Sequence, residues 1–228
     1  MIATLHQPNF LPWMGFFYKI AKADLFINCD VLDYSKGSYT QRVKIKTMAG
    51  PKWLSLPIVH TGTVGEPINK VICGGWPDWR DRIVNAFRGN YSRAKHFQPY
   101  CDQLAGVIAS ANENVAEFNT VLIQHFFETL QIKTPMVMSS SLSLPPCDNP
   151  TDWIIAVCKS VGADTFLSGF GGAKYQDQGA YEQAGIKLVY TDFKHPSYPQ
   201  LFGEFVPGLS AMDLLLNCGP HSQTVLGI

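Results

Sequence analysis

Short apolar stretches alternate with amphipathic runs along most of this chain, and this alternation restricts its fold more than any other feature. Residues 2–5 are apolar, residues 13–23 space their apolar side chains as a helix does, and residues 24–29 are apolar again. A strand, a helix and a strand in succession predict a β-α-β unit with two parallel strands.

The alternation returns in the second half of the chain. Apolar stretches at 135–138, 164–169 and 187–193 predict three further strands. A helix is predicted within residues 149–163, because Pro150 lies near its start and Gly162 lies just past its end.

The middle of the chain adds elements of other kinds. Residues 43–58 alternate around an Ala-Gly-Pro break, which predicts a β-hairpin. Outside this middle region, a short helix is expected over 211–217. Three helices are predicted over 76–91, 99–111 and 113–132. Together the elements predict an α/β fold with a mostly parallel, Rossmann-like sheet flanked by helices. We expect a single domain over residues 1–228, with a helical insertion at about 77–133 and the hairpin.

Charge and cysteine usage narrow the function classes. The chain has 18 basic and 18 acidic residues, and it shows no basic stripe typical of a nucleic-acid partner and no polybasic run typical of an anionic membrane. No apolar run reaches membrane-spanning length, and the first residues show no basic n-region or apolar h-region, so we expect no signal peptide. The six scattered cysteines form no C-x-x-C pair, so we expect each cysteine to be a small buried hydrophobic residue and not a metal ligand or half of a disulfide. A reduced, cytoplasmic protein without membrane insertion is expected, and a homo-oligomer stays open.

Polar side chains follow all five predicted strands of the sheet. The residues at or beyond these strand ends are His6 and Gln7; Asp30, Tyr34, Lys36 and Arg42; Ser139 to Ser141; Ser168, Gly169, Gly171 and Gly172; and Asp192, His195 and Tyr198. Ligands of open parallel sheets bind outside the carboxyl ends of the strands. We therefore expect a small-molecule site along this edge.

Three other stretches bear on that site. In "HQPNFLPW", residues 6–13, two prolines stiffen a turn that either presents His6 to a ligand or bonds it to its own loop. "SGFGGAKY" offers glycine amides to an anion, although it lacks the spacing of a P-loop or dinucleotide motif. "YTDFKHPSYPQLFGEF" concentrates aromatic and polar residues in one loop, which either serves the site or wraps back over the core.

Two familiar catalytic arrangements are not favoured by the spacing. His6, His195 and Asp30 follow no metal-ligand pattern, so no metal is expected. A Ser168–His195–Asp192 triad is conceivable, but Ser168 does not lie in a G-x-S-x-G motif.

Five stretches of the sequence resemble motifs of the WbqC-like protein family, and they occur in the same order as in that family. They are "HQPNFLPWMGFFYKIAKADLFI", "YSKGSYTQRVKIKT", "WLSLPI", "GADTFLSGFGGAKY" and "AGIKLVYTDFKHPSYPQLFGEFVPGLSAMDLLLNCG". The chain departs from the family pattern at Asp33, where glutamine is frequent, and at Gln41, where asparagine is frequent. The polar residues carried over by position are His6, Gln7, Tyr34, Lys36, Arg42, Lys46, Ser168, Tyr175, Asp192, His195, Tyr198 and Gln200. The resemblance implies a role in bacterial surface polysaccharide, with transfer of glycine or a related acyl group to an amino sugar of the O-antigen.

Our leading hypothesis is an acyl- or aminoacyl-transferase acting on a nucleotide-linked amino sugar. His6 or His195 would be the general base, with Asp192 orienting the histidine. Lys36, Arg42 and the amides of residues 169–172 would hold phosphate or carboxylate. The cofactor stays open between ATP and another activated acyl donor.

Two alternatives remain. The first is an adenylating or nucleotidyl-transferring enzyme that binds ATP at the His6 loop, where H-Q-P-N is loosely similar to the H-x-G-H motif of nucleotidylyltransferases. Pro8 and Asn9 replace the glycine and the second histidine of that motif. The second alternative is a non-catalytic module that binds glycan intermediates.

Overall fold

A computed structural model describes residues 1–59, 65–75, 78–174 and 176–228. Its strands are β1 (Ile2–His6), β2 (Leu25–Asn28), β3 (Arg42–Thr47), β4 (Gly50–Ser55), β5 (Met136–Met138), β6 (Thr165–Ser168) and β7 (Lys187–Tyr190). Its α-helices are α1 (Met14–Ala21), α2 (Asp78–Tyr91), α3 (Phe97–Ser110), α4 (Val115–Thr129), α5 (Pro150–Ser160), α6 (Gln178–Gln183), α7 (Ala211–Cys218) and α8 (Ser222–Leu226).

Five strands form one parallel sheet in the order β5-β2-β1-β6-β7. β1 lies at the centre, where Ala3 pairs with Leu25 of β2 on one side and with Phe166 of β6 on the other. β3 and β4 form a separate antiparallel hairpin, in register from Arg42 and Ser55 to Thr47 and Gly50. The predicted α/β class, the parallel sheet and the hairpin are therefore confirmed.

Helices pack on both faces of the sheet. Successive side chains of a strand point to opposite faces, so one strand can contribute to two hydrophobic cores. In β2, Phe26 belongs to a large core shared with α1, α2, α3, α4 and α7. The next residue, Ile27, belongs to a smaller core that includes Ile155 of α5 and Tyr181 of α6. Strands buried on both faces explain why the sequence shows them as continuous apolar runs.

The helix boundaries follow from local chemistry. The Asn114 side chain accepts hydrogen bonds from the amides of Ala116 and Glu117, at 3.0 and 3.1 Å, and so caps α4. Asn149 caps α5 ahead of Pro150, and Gly162 follows that helix at a φ of 72°. The helices α6 and α8 were missed because each has too few residues to show helical periodicity.

The three predicted helices are present as α2, α3 and α4, and they lie with the hairpin between β2 and β5. The last strand of the sheet is shorter than predicted. It ends at Tyr190, because its partner Ser168 is the final residue of β6.

Candidate functional site

The strand order defines a switch point between β1 and β6. The chain moves from β1 to β2 on one side of the sheet and later returns to β6 on the other side. Crevices at such points, outside the carboxyl ends of the strands, are where open α/β sheets bind ligands. A cavity of about 440 Å³ lies there. Its polar lining comprises His6, Lys19, Ser168, Gln176 and Thr191, and its aromatic lining comprises Trp13, Phe16, Phe166, Phe170 and Phe193.

The loop from β1 to α1 is held rigidly beside this cavity. The buried Asn119 side chain of α4 donates hydrogen bonds to the carbonyls of Pro8 and Thr40, both at 2.8 Å. The first amide of α7 donates to the carbonyl of Pro12 at 2.8 Å. Leu11 is fully buried at a φ of 43°, a left-handed conformation that persists only where the surroundings enforce it. These anchors fix the directions of the side chains at both ends of the loop.

His6 is partly buried at the end of β1. Its Nδ1 lies 3.0 Å from the carbonyl of Gln7, and its ring meets Phe16 edge-on at a centroid distance of 5.1 Å. Burial and the nearby charge of Lys19 lower the pKa of His6 to about 3. The imidazole is therefore neutral at pH 7. A proton on Nδ1, donated to Gln7, leaves the lone pair on Nε2 available to a ligand.

Lys19 of α1 is a lining residue that sequence reasoning missed, as are Gln176 and Thr191. Only 5% of Lys19 is exposed, and its Nζ donates to the carbonyl of Leu5 at 2.9 Å. Burial lowers the pKa of Lys19 to about 8, so a useful fraction of the amine is neutral near physiological pH. A signal was available, because Lys19 lies three residues after Phe16 and one before Ile20, on the apolar side of an amphipathic helix.

The glycine-rich loop after β6 forms the opposite wall. Ser168 accepts a hydrogen bond from Nε2 of Gln176 at 3.0 Å and donates one to the carbonyl of Gly169 at 3.1 Å. A Cβ on Gly172 would lie 2.5 Å from the Ser168 hydroxyl, so a larger residue there would displace the Ser168 side chain. Oε1 of Gln176 is buried without a hydrogen-bond partner among the described residues. Tyr175, also predicted for the site, lies outside the described residues.

Trp13 closes the cavity from the side of α1. Its indole lies across Gly15, where any Cβ would collide with the ring. Phe193 meets the indole edge-on at 5.4 Å, and the His195 ring lies roughly parallel to it at 6.3 Å. The result is an aromatic wall beside the first turn of α1.

His195 and Asp192 have other partners than those hypothesised for them. The Gly208 amide donates to Nε2 of His195 at 3.0 Å, so the ring proton is on Nδ1, which lies 3.1 Å from the carbonyl of Pro196. The Asp192 carboxylate accepts a hydrogen bond from the Tyr18 hydroxyl at 2.9 Å. Both ring nitrogens of His195 are thus bonded to backbone, and the ring supports the aromatic wall.

Lys46, Tyr198 and Gln200 belong to a buried network around Asp213. Asp213 accepts hydrogen bonds from the hydroxyls of Tyr91 and Tyr198, both at 2.9 Å, and burial raises its pKa. Nζ of Lys46 donates to Oε1 of Gln200 at 3.2 Å. These contacts join β3, α2 and α7 to the loop before α7, and none of the five side chains lines the cavity.

Asp30 and Tyr34 also have structural partners. Asp30 accepts hydrogen bonds at 2.9 Å from the Ser139 hydroxyl and the Ser140 amide, which ties the ends of β2 and β5 together. The buried Tyr34 hydroxyl donates to Oε1 of Gln41 at 2.7 Å.

Gln7, Lys36 and Arg42 lie outside the cavity lining as well. The Gln7 side chain donates to the carbonyl of Asp33 at 3.0 Å, and Lys36 is exposed. Arg42 lies at the start of the hairpin, with Cζ 4.3 Å from the ring centre of Trp53. Of the predicted site residues, the cavity brings together His6, Ser168, Gly169, Gly171 and Gly172.

Fold and cavity define the class: an α/β protein whose ligand cavity opens at the switch point of a parallel sheet. Within that class, the chain belongs to the WbqC-like protein family, whose model matches residues 7–225. The resemblance seen in the sequence is thereby confirmed.

A curated mycobacterial protein is similar to this chain over nearly its whole length. The uncharacterized protein Rv1507c of Mycobacterium tuberculosis (strain ATCC 25618 / H37Rv) is 30% identical over 222 residues, which cover 96% of this chain and 95% of that protein. No solved structure matches the chain.

Two features are absent from the described residues. None of their helices is both long enough and apolar enough to cross a membrane. No group of three or more His, Cys, Asp or Glu side chains in this part of the chain is placed to hold a metal ion.

Proposed function

We propose that this protein is an acyl- or aminoacyl-transferase that acts on a nucleotide-linked amino sugar in bacterial O-antigen or surface-polysaccharide biosynthesis. The observation that carries the proposal is the pairing of a desolvated lysine, Lys19, with a neutral histidine, His6, in the switch-point cavity. Such perturbed groups in a cleft are typical of sites that move protons.

The cavity suits a nucleotide-linked sugar. Its position corresponds to the nucleotide crevice of other open parallel sheets. Trp13 and Phe193 offer ring faces and edges to a base or a sugar, and Phe170 stands 79% exposed at the rim, where a ligand would cover it. The loop of residues 169–172 brings backbone close to the cavity, where amides can bind phosphate.

The proposed reaction joins the sugar amine to the carbonyl carbon of the acyl donor. A nitrogen–carbon bond forms, the bond from that carbon to the donor's leaving group breaks, and the amine nitrogen loses one proton. Lys19 takes that proton in its neutral form, because its pKa of about 8 lies close to the working pH. The Leu5 carbonyl holds Nζ in place at 2.9 Å.

His6 orients the sugar amine rather than accepting its proton. With a pKa of about 3, its imidazole is too weakly basic to serve as the principal base at neutral pH. Its Nε2 lone pair can accept a hydrogen bond from the amine and direct the nitrogen lone pair at the donor. This division of roles replaces the one expected from sequence, in which a histidine was the base.

Adenylation is the second candidate, and the strand order favours it, because nucleotides bind at the switch point of such sheets. In that reaction a carboxylate attacks the α-phosphate of ATP, and pyrophosphate leaves. The cavity would then hold the adenosine against Trp13.

Turnover by the purified protein tests the proposal. The protein is incubated with UDP- or dTDP-linked amino sugars and acyl or aminoacyl donors, and the N-acylated sugar is measured by mass spectrometry. Lys19→Met should lower kcat about a hundredfold or more, the usual loss on removing a general base. The matched control is Lys22→Met, which alters an exposed lysine just beyond the same helix.

Three results would decide against this proposal, the first against its site and the other two against its reaction. Full kcat in both Lys19→Met and His6→Gln would show that these two cavity residues take no part in the reaction. Release of pyrophosphate from ATP without acylated sugar would favour adenylation. Stabilisation by a nucleotide sugar without any product would favour a binding module.

A further inference from the structure

The hairpin region carries a local positive charge that the chain as a whole does not show. Residues 34–59 contain five lysines and arginines and no aspartate or glutamate, although the chain has a formal net charge of zero. Sequence inspection finds no basic run there, because the cations of β3 alternate with apolar residues. The hairpin gathers side chains that the sequence separates.

An apolar side chain stands at the tip of this hairpin. Met48 lies in the turn that joins β3 to β4, and it is 85% exposed. A large apolar side chain so exposed gains free energy when it leaves water. Lys44 and Lys52, one on each strand, flank the turn.

Aromatic rings accompany these cations. Trp53 is 43% exposed and pairs across the hairpin with Lys44, whose Nζ lies 5.2 Å from its ring centre. Tyr39 is 48% exposed, and its ring centre lies 5.9 Å from that of Trp53. Tryptophan and tyrosine beside lysine are typical of protein surfaces that contact the polar layer of a membrane.

The spacing along the hairpin matches the depth of that layer. The Lys44–Trp53 pair is three pairs away from Thr47–Gly50, the last pair before the turn. At about 3.4 Å per residue, Trp53 lies about 10 Å above the turn. Peripheral segments bury their apolar side about 5–10 Å into the boundary between headgroups and acyl chains. Met48 would then reach this boundary while Trp53 and Lys44 stay among the headgroups.

We propose that the tip of the β3–β4 hairpin docks on an anionic phospholipid surface, with Met48 entering the bilayer boundary and Lys44 and Lys52 contacting the headgroups. A nucleic acid or an anionic glycan would satisfy the lysines, but neither offers an apolar phase for Met48. The contact involves one turn of chain, so it requires no spanning helix. The proposal is independent of the transferase reaction.

Co-sedimentation of the full-length protein with lipid vesicles tests this docking. Binding is expected to vesicles that contain phosphatidylglycerol and to be lost when the vesicles contain phosphatidylcholine alone. High salt should weaken the binding, because headgroup attraction is screened. Each lysine near an anionic surface strengthens partitioning about fivefold, so the double variant Lys44→Gln/Lys52→Gln should bind about 30-fold more weakly.

Two further variants separate the hairpin tip from general charge. Met48→Ser keeps every charge and should still bind several-fold more weakly, since only the apolar contact is lost. Lys95→Gln/Lys133→Gln removes the same charge from exposed positions outside the hairpin and should bind like the parent. Circular dichroism and thermal unfolding confirm that each variant is folded.

The proposal is overturned if the parent protein binds neither kind of vesicle or binds both kinds equally. It is also overturned if Met48→Ser binds as tightly as the parent, or if the Lys95/Lys133 variant loses as much binding as the hairpin variant. Binding to heparin without binding to anionic vesicles would identify a soluble polyanion as the partner and would likewise refute membrane docking.

Discussion

Replacing Lys19 with methionine should stabilise the protein while abolishing its proposed activity. Burial lowers the pKa of Lys19 from 10.5 to about 8, so the charged amine has a higher free energy in the cavity than in water. At pH 7 this difference costs about 3 kcal/mol of unfolding free energy. Methionine has a similar length and carries no charge. It forfeits the hydrogen bond to Leu5, worth about 1 kcal/mol, which leaves a net gain of about 2 kcal/mol.

The gain should depend on pH in a definite direction. Because the folded pKa lies below the unfolded one, the unfolded chain binds more protons between the two values, and the parent protein becomes more stable as pH rises through that window. Lys19→Met lacks this titration. Its advantage over the parent should therefore shrink by about 2 kcal/mol between about pH 7 and pH 9.5.

Urea denaturation followed by circular dichroism at both pH values measures this difference. Comparing variant with parent cancels the titration of tyrosines and cysteines that both share. Lys22→Met, at an exposed position just beyond α1, is the matched control. A Lys19→Met difference that stays constant across the two pH values would refute the desolvation of Lys19, as would a variant less stable than the parent at both.

Three further variants test other parts of the site. His6→Gln should lose about 1–2 kcal/mol less stability than the parent when pH falls from about 7 to 4, because the lowered folded pKa of His6 makes the unfolded chain the better proton binder there. The figure allows for the partial exposure of His6, and denaturation at the two pH values checks it. Gly172→Ala should lower the unfolding free energy by about 1–3 kcal/mol, since its Cβ would meet the Ser168 hydroxyl. The control Gly171→Ala has open space around its Cβ and should unfold like the parent in the same urea titration. Asn119→Ala removes two buried hydrogen bonds from the loop after β1, so it should cost about 2–4 kcal/mol in urea unfolding and speed amide exchange in that loop, and unchanged exchange there would contradict this account.

The sequence alone determined the kinds of elements and their order. Apolar runs such as residues 24–29 predicted strands buried on both faces, and the alternation in residues 43–58 predicted the hairpin. Pro150 marked a helix start correctly. These features could be predicted because they depend on the preferences of neighbouring residues. The same rules placed His6 and Ser168 at the carboxyl edge of the sheet.

The tertiary structure decided which of these side chains meet. Strands β1 and β6 join residues as distant as Thr4 and Leu167, 163 positions apart, and no local pattern encodes that pairing. The tertiary structure also places Lys19 in the cavity lining, and it places both ring nitrogens of His195 within hydrogen-bond distance of backbone groups. A polar residue near a strand end can face a ligand or a buried partner with equal local propensity. The choice depends on burial and hydrogen-bond partners supplied by distant segments, which exist only once the chain has folded.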